Sequence, residues 1–502
     1  MSVSAARTVL GNTLVSALAF GVVGAIGLAL VPVIVGRYGL ATYGLLMLAR
    51  AFVPAGLIGV FDPGLSEQTI RAVSRARVDG DWSRAGTTIS TLLVMAAGIG
   101  ITVGLALAFA AEPLAAAMRS GADNATFVEV VRVTGLAAAV LFPALILEGL
   151  VKGLEDFRGL RAAEVACTAL YAIAVVALAD RGAGFEWIAY AYLASLLLKA
   201  AWLAAISAAH ARRHMLALGR PHADGLREAW RYGRHLAASR ILSTLRDQGA
   251  APAIGALLGP TAVGVYDVIS RLPRFLKTVL ALLNGTLLPL AARLHHGDDG
   301  RPLARLAVDG MTLAAALAVP VCATGAILAD PLLRLWIGPD LGRYAPWLGL
   351  MFVVPALNAV AGMVTTTLLP DESAISAFNR VTFVQTASLF AIGIALLLPL
   401  EERAFIASTA LVALLAFPVQ LWIAMRSLAL TAASLRPTLT ILVAGAAAVG
   451  VASQTALAGS IGDPVALAAA GGTLGAALFA FMVLLLPNAL RARVWRAAFR
   501  RA

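Results

Sequence analysis

Long apolar segments alternate with short charged breaks along almost the whole chain. Each segment is close to the roughly 20 residues that a helix needs to cross the hydrocarbon core of a bilayer. The pattern therefore predicts an all-α polytopic membrane protein. Reading the segments against the charged breaks gives about fourteen transmembrane helices, with approximate limits of 14–36, 41–61, 87–111, 127–150, 162–179, 186–207, 237–258, 263–290, 306–328, 345–368, 379–399, 404–424, 437–458 and 464–487.

The Lys and Arg residues between these segments fall mainly on one side of the membrane. With the N-terminus placed inside, the inner segments hold 25 of them and the outer segments hold 6. Short cytoplasmic loops retain basic residues, so this bias predicts that both termini are cytoplasmic.

The longest basic loop, residues 210–235, separates six predicted spans from eight. It predicts an N-terminal six-helix lobe over 1–209, a cytoplasmic linker over 210–235, a C-terminal six-helix lobe over 236–430, and two extra spans with a basic tail over 431–502. A faint internal repeat agrees with this division. "GLATYGLLMLAR" (39–50) enters the second span much as "GPTAVGVYDVISR" (259–271) enters the eighth. Repeated lobes are a common plan among transporters.

Composition supports a membrane protein and argues against the usual soluble classes. Of the 502 residues, 60% are hydrophobic and 13% charged, whereas an average soluble domain is about a quarter charged. The net charge is +12, but the basic residues punctuate apolar spans, so we predict no nucleic-acid partner. The chain has no G-K-[ST], H-E-x-x-H, C-x-x-C or G-x-S-x-G motif. We therefore expect no enzyme activity, no metal and no cofactor.

Glycine pairs spaced as G-x-x-x-G occur inside two apolar spans. They are Gly100 with Gly104 and Gly471 with Gly475. This spacing is typical of close helix–helix contacts in membranes, because small residues let two backbones approach. We expect such a contact at both pairs.

Eight basic residues lie within predicted spans rather than between them. A charge at the bilayer centre costs about 2.5–3.5 kcal/mol even on permissive scales. Arg132 and Arg240 are near span ends, so we expect them to reach the headgroups. Arg50, Arg246 and Arg271 are each about nine residues from the nearer end of their spans. Reaching the headgroups from a span end does not account for those three arginines.

The eighth span contains a charged series that sits on one side of a helix. At about 100° per residue, its polar residues occupy an arc of roughly 120°, and they are Asp267, Ser270, Arg271, Arg274 and Lys277. Val268, Ile269 and Leu272 lie on the other side. We therefore expect one wet, basic face and one dry face. A merely solvated end of a long span is the alternative.

The seventh span adds Arg246 and Asp247, so basic residues outnumber acids on this pair of helices. Pairing among themselves would not require that excess. A water-filled cavity with spare Arg favours an anion, since the guanidinium group binds phosphate or carboxylate in a bidentate way. Asp247 and Asp267 are candidates for proton coupling or for pairing with a neighbouring Arg.

Several longer motifs resemble one membrane family. They are "GRYGLATYG" (36–44), "FDPGLSEQTIRAVSRA" (61–76), "LLGPTAVGVYDVISRL" (257–272) and "LLRLWIGPDLGRYAPWLGLM" (332–351). Taken in order, they resemble the polysaccharide-biosynthesis flippases. These are the O-antigen and exopolysaccharide lipid-linked oligosaccharide translocases of the multidrug/oligosaccharidyl-lipid/polysaccharide exporter (MOP) superfamily.

The resemblance implies two six-helix lobes in a V around a cationic central cavity, plus two C-terminal helices. The cargo would be an undecaprenyl-pyrophosphate-linked oligosaccharide, moved from the inner to the outer leaflet of the bacterial cytoplasmic membrane. The positions that match the family's substrate-binding residues are Arg50, Arg246, Arg271, Arg274 and Lys277. A polymerase and a glycosyltransferase of the same pathway are the implied partners.

The resemblance leaves the coupling ion and some rival functions open. Proton or sodium coupling is undetermined. A multidrug or cation antiporter of the same superfamily is one rival, although a cationic cavity repels organic cations. A membrane glycosyltransferase of the same pathway is another, although the longest outer loop holds only Asp330 and Asp340 as acids. A non-transporting scaffold is the third.

Overall fold

The computed structural model describes residues 3–118, 124–221, 223–285, 301–368, 372–453 and 462–499. Throughout these ranges the regular elements are helices, and they contain no β-strand. The first part of the chain has a short 3-10 helix at Leu57–Phe61 and nine α-helices within the described ranges. These are α1 (Val3–Ala51), α2 (Leu65–Asp79), α3 (Trp82–Ala117), α4 (Asn124–Gly153), α5 (Phe157–Asp180), α6 (Phe185–Arg213), α7 (Ala223–Gln248), α8 (Ala250–Leu258) and α9 (Pro260–Gly285).

The second part of the chain continues in the same way, with 3-10 helices at Pro339–Tyr344 and Glu401–Arg403. Its α-helices are α10 (Arg301–Ile327), α11 (Ala329–Trp336), α12 (Ala345–Met351), α13 (Val353–Leu368), α14 (Glu372–Ala395), α15 (Leu397–Leu400), α16 (Ala404–Ser427), α17 (Ala432–Ala452), α18 (Pro464–Leu484) and α19 (Asn488–Phe499). The predicted all-α polytopic class is confirmed.

Ten helical segments in the described ranges are long and apolar enough to cross a membrane. The first of them, Val15–Ala51, joins the first predicted span to the start of the second. The seventh and eighth predicted spans correspond to α7–α8 and α9, and the eleventh corresponds to α14. These helices are not among the ten. Charged residues inside α7 and α9 lower their hydropathy, and they include Arg246, Arg271 and Arg274.

Helix α1 changes direction at Gly39, whose backbone (φ 80°, ψ 169°) is not helical. This conformation is accessible almost only to glycine, because a Cβ atom would clash with the backbone. The first and second predicted spans are therefore joined without a loop. The second ends earlier than predicted, at Ala51, and turns into the 3-10 helix at Leu57–Phe61.

By internal contacts the chain forms two compact units, Met1–Asp267 and Val268–Ala502, and the division falls within α9. Within the first unit, α3 and α4 pack closely. A Cβ atom on Gly104 would lie 2.4 Å from the carbonyl oxygen of Gly135, and one on Gly100 would lie 2.6 Å from that of Ala138. The close helix contact predicted at the first glycine pair is confirmed.

The second unit has a core built from α10, α13, α16, α17 and α18. Met311, Val360, Ile441 and Met482 are fully buried in it. The second glycine pair lies here, but Gly475 meets Thr324 only at an ordinary van der Waals distance of 3.5 Å. The close backbone contact expected at this pair is therefore not formed between α18 and α10.

The predicted linker over 210–235 is mostly helical. Its first residues end α6, its last residues begin α7, and 214–221 connect the two. The connection is fixed on α3 by a stack of the His214 and Trp82 rings, with centroids 4.5 Å apart, and by a 2.7 Å hydrogen bond from the Ser90 hydroxyl to the Gly219 carbonyl. The predicted lobe boundaries themselves stay a prediction.

Candidate functional site

Helix α9 is continuous from Pro260 to Gly285, so the charged series does lie on one arc of a helix. Arg271, Arg274 and Lys277 are half-buried along this arc. The Nε of Arg274 donates to the backbone carbonyl of Ser270 at 3.3 Å. The arc is therefore a helical surface with three basic side chains within two turns.

The first residues of the polar arc are more buried than the sequence predicts. Asp267 is 8% exposed and Ser270 is fully buried, like Val268 and Ile269 on the other face. The Tyr43 hydroxyl, itself buried, donates to the Asp267 carboxylate at 2.5 Å. A buried carboxylate needs such donors because desolvation disfavours its charge. The expected wet face therefore begins only at Arg271.

Arg50 lies in the last turn of α1, next to its final residue, Ala51. The expectation that it lies nine residues from a helix end is wrong. The reason is Pro54, whose ring clashes with the carbonyl four residues earlier and so ends the helix inside an apolar run. The guanidinium carbon of Arg50 lies 4.0 Å from the ring centroid of Tyr192 and 5.5 Å from that of Tyr171.

This aromatic contact gives Arg50 a packing role in the fold. A guanidinium group over an aromatic face is stabilised by the ring's negative π surface. The Nε atom of Arg50 is buried and has no hydrogen-bond acceptor among the described residues. Arg50 thus joins α1 to α5 and α6 within the first unit.

Arg246 lies in the last turn of α7, because the predicted seventh span is divided at Gly249. Pro252 lacks the N–H that would bond the Gln248 carbonyl, which accounts for the interruption. Gly249 itself has helical backbone angles and its N–H donates to the Leu245 carbonyl at 2.8 Å, so the helical path continues past Arg246, which lies just before the interruption. Its Nε lies 3.6 Å from the Asp247 carboxylate, and both side chains are at least one-third exposed.

The two repeated glycine segments have matching backbones and contact each other. Gly39 and Gly259 share an unusual conformation, with φ of 80° and 89°. A Cβ atom on Gly44 would lie 1.9 Å from the Pro260 carbonyl oxygen, and one on Gly264 would lie 2.3 Å from that of Leu40. The contact is reciprocal, because each segment's second glycine meets the residue after the other's first glycine. The internal repeat is therefore real in structure.

Comparison with known families now assigns the chain. A family profile described as "Polysaccharide biosynthesis protein" matches residues 38–345, which is more than half of the chain. The chain belongs to this family. The matched region contains the two glycine segments and the whole of α9. The resemblance seen in the sequence is thereby confirmed, whereas a comparison with curated proteins finds no match.

Solved structures show that this family member has the fold of MOP superfamily transporters. "Lipid II flippase MurJ, inward closed conformation" is similar with a TM-score of 0.73 at 11% identity, over 93% of this chain and 97% of that one. An inward-facing "multidrug resistance MATE family transporter of the MOP superfamily" gives 0.68 at 16% identity, over 83% and 96%. A Vibrio cholerae MATE transporter gives 0.57 at 15%, over 86% and 98%. At these identities the likeness establishes the fold alone.

The sequence "FDPG" (61–64) directly precedes α2 and supplies a partner for Arg240. The Asp62 carboxylate accepts hydrogen bonds from the backbone N–H groups of Gly64 (3.0 Å) and Leu65 (2.8 Å). It also pairs with Arg240, which reaches Glu67 at 2.7 Å. The structure thus gives Arg240 two carboxylate partners, and its place at the headgroup level stays a prediction. Arg240 joins α7 to the start of α2.

One charged cluster in this family member was not predicted from the sequence. Glu148 on α4 lies 2.7 Å from the Nζ of Lys152, one turn later, and 3.3 Å from that of Lys199 on α6. All three side chains are less than one-third exposed. The spacing of Glu148 and Lys152 was a readable signal. The pairing with Lys199 was not, because it depends on how α4 packs against α6.

Proposed function

We propose that this chain is a lipid-linked oligosaccharide flippase. It moves an undecaprenyl-pyrophosphate-linked oligosaccharide from the inner to the outer leaflet of the bacterial cytoplasmic membrane, with both termini cytoplasmic. The observation that carries the proposal is the continuous helix α9, which presents Arg271, Arg274 and Lys277 on one arc in a member of the polysaccharide biosynthesis family.

The chemistry of α9 supports an anionic cargo. A pyrophosphate carries several negative oxygens, and guanidinium groups bind such oxygens in pairs. Basic side chains spaced three residues apart follow one helical surface, so they can hold a headgroup at successive positions. Arg246 and Arg50 are the further substrate-binding candidates, although the aromatic contact gives Arg50 a second role.

Alternating access is the mechanism that we propose, because it moves a headgroup without exposing it to lipid. For ion coupling, Asp267 is the better of the two candidate acids. It is buried and receives the Tyr43 hydroxyl, whereas Asp247 is exposed. Association with a polymerase or a glycosyltransferase of the same pathway is part of the proposal.

A multidrug or cation antiporter is the second candidate, since MATE transporters share the fold. The basic arc of α9 favours the flippase, because cationic side chains repel an organic cation. Drug tolerance of cells that express the chain separates the two functions. The flippase predicts no change in tolerance to organic cations.

The test is glycan export in a bacterial strain that depends on this chain. Arg271→Ala and Arg246→Ala are expected to abolish surface or exported polysaccharide while the protein still inserts, as judged by its amount in the membrane fraction. The matched control is Arg158→Ala, an exposed Arg that lies outside α7 and α9. Normal glycan output from both test variants would exclude the proposed cationic pathway.

A further inference from the structure

A polar cleft opens at the end of the first unit where α2, α3 and the start of α7 meet. Its volume is about 460 Å³, within the usual range of about 300–1,000 Å³ for small-molecule sites. We call it the α2–α3 cleft, and the residues that matter for its chemistry are Arg71, Arg75, Asp79, Asp81, Arg84 and Thr88. None of these belongs to α9 or to the other candidate substrate residues.

The cleft carries three guanidinium groups against two carboxylates. Asp81 is already engaged, because it caps α3 by accepting the backbone N–H of Arg84 at 2.9 Å. The side chains of Arg75 and Arg84 form no ion pair with any residue that the structure describes. Two guanidinium groups on facing helices are thus available to one ligand, and bidentate Arg contacts favour phosphate.

Hydroxyl groups complete the polar wall on α3. The hydroxyls of Thr87 and Thr88 each donate to the carbonyl four residues earlier, at 3.1 Å and 3.0 Å. A hydroxyl can rotate, so each can donate to a bound anion instead. The α3 wall is held in place by the bond from Ser90 to Gly219 and by the stack of Trp82 on His214. Because the helix that carries these hydroxyls is held in place, binding an anion orders fewer groups and has a lower entropic cost.

The surroundings of the cleft point to the membrane surface. Trp230, the neighbour of the lining residue Ala229, is 59% exposed, and Val78, the neighbour of Asp79, is 85% exposed. Tryptophan is enriched at the level of lipid headgroups. The cleft lies beside Trp82, where the apolar helix α3 begins. Charged and apolar groups are therefore placed together as in a headgroup region.

We propose that the α2–α3 cleft binds a phosphate or pyrophosphate group, through Arg75 from α2 and Arg84 from α3. The group belongs either to a membrane lipid or to a soluble anion, and the chemistry of recognition is the same for both. This site shares no residue with the basic arc of α9, and the inference does not depend on the proposed flippase function.

The test compares purified wild-type protein with Arg75→Gln/Arg84→Gln. Inorganic pyrophosphate is titrated into detergent-solubilised protein in a calorimeter. In parallel, phosphatidylcholine nanodiscs with and without phosphatidic acid report lipid retention by native mass spectrometry. Arg158→Gln/Arg212→Gln is the control, because both residues are exposed and the same charge is removed elsewhere in the first unit. Thermal unfolding without ligand checks that each variant is folded.

We expect the double variant to bind the anion about tenfold or more weakly, since charge-assisted hydrogen bonds from guanidinium groups are stronger than neutral ones. The control should bind like the wild type. Loss of phosphatidic acid alone identifies a lipid headgroup, and loss of pyrophosphate alone identifies a soluble anion. Equal binding by both double variants, or no binding of either probe to the wild type, overturns the proposal.

Discussion

The two glycine segments, 39–50 and 259–271, share the backbone conformation of their first glycine and have different side-chain surroundings. Each begins with a glycine of positive φ, Gly39 in one and Gly259 in the other. Each places its second glycine, Gly44 or Gly264, against the backbone of the other segment. The shared part of the repeat is therefore a backbone feature that only glycine allows.

The arginines that follow the glycines differ. Arg50 closes its helix and lies over the rings of Tyr171 and Tyr192. Arg271 lies inside a helix that continues for more than three turns, with two further basic residues on the same arc. The repeat thus preserves a crossing of two chain segments, while its basic residues have diverged into a packing role and a candidate binding role.

Substituting the second glycines should disrupt the close backbone contact between the two segments. In Gly44→Ala or Gly264→Ala, the new methyl group would meet a carbonyl oxygen, so the two segments must separate. We expect a loss of about 3 kcal/mol in the free energy of unfolding, the upper end of ordinary overpacking costs. Thermal unfolding in detergent, followed by tryptophan fluorescence, measures it.

The matched control is Gly36→Ala in α1, where an added Cβ meets nothing within 4 Å. Alanine in a helix loses less backbone entropy than glycine, so this variant should be about 0.5–1 kcal/mol more stable. An unchanged melting temperature in both test variants would mean that the glycine crossing contributes nothing to the fold.

Removing the Tyr43 hydroxyl should have a smaller effect on stability, and it tests the hydrogen bond that connects the two segments. Tyr43 belongs to the first segment and Asp267 to the second. Tyr43→Phe keeps the ring but leaves the buried carboxylate with one donor fewer, which costs about 1.5 kcal/mol.

A double-mutant cycle of Tyr43→Phe with Asp267→Ala tests the reason for that cost. If the hydrogen bond carries the loss, removing the Tyr43 hydroxyl should cost little once the Asp267 carboxylate is absent. A deficit of the same size in both backgrounds would instead assign the loss to packing of the ring edge. Tyr38→Phe is the control, because the Tyr38 hydroxyl is buried with no hydrogen-bond partner in the described part of the chain.

The sequence predicts features that have a local period and misses those that depend on packing. The arc of α9 and the contact at Gly104 were predictable, because helical spacing places residues on one face. The early end of α1 was not, since residues 41–61 stay apolar through the turn and hydropathy does not register the effect of Pro54. The partners of Arg240 and Lys199 lie on or beside other helices, at distances along the chain that no local pattern encodes.

The smallest expected effect on stability distinguishes the roles of Arg50 and Arg271. A double-mutant cycle of Arg50→Gln and Tyr192→Leu should give a coupling of about 1 kcal/mol in the free energy of unfolding, the usual strength of a half-buried cation–π contact. Arg271→Gln should abolish glycan export while the variant still inserts, as judged by its amount in the membrane fraction. If the cycle gives no coupling and Arg50→Gln abolishes export at unchanged stability, Arg50 belongs with α9 in substrate binding. The measured coupling therefore decides whether the two segments still share a function or share only their backbone.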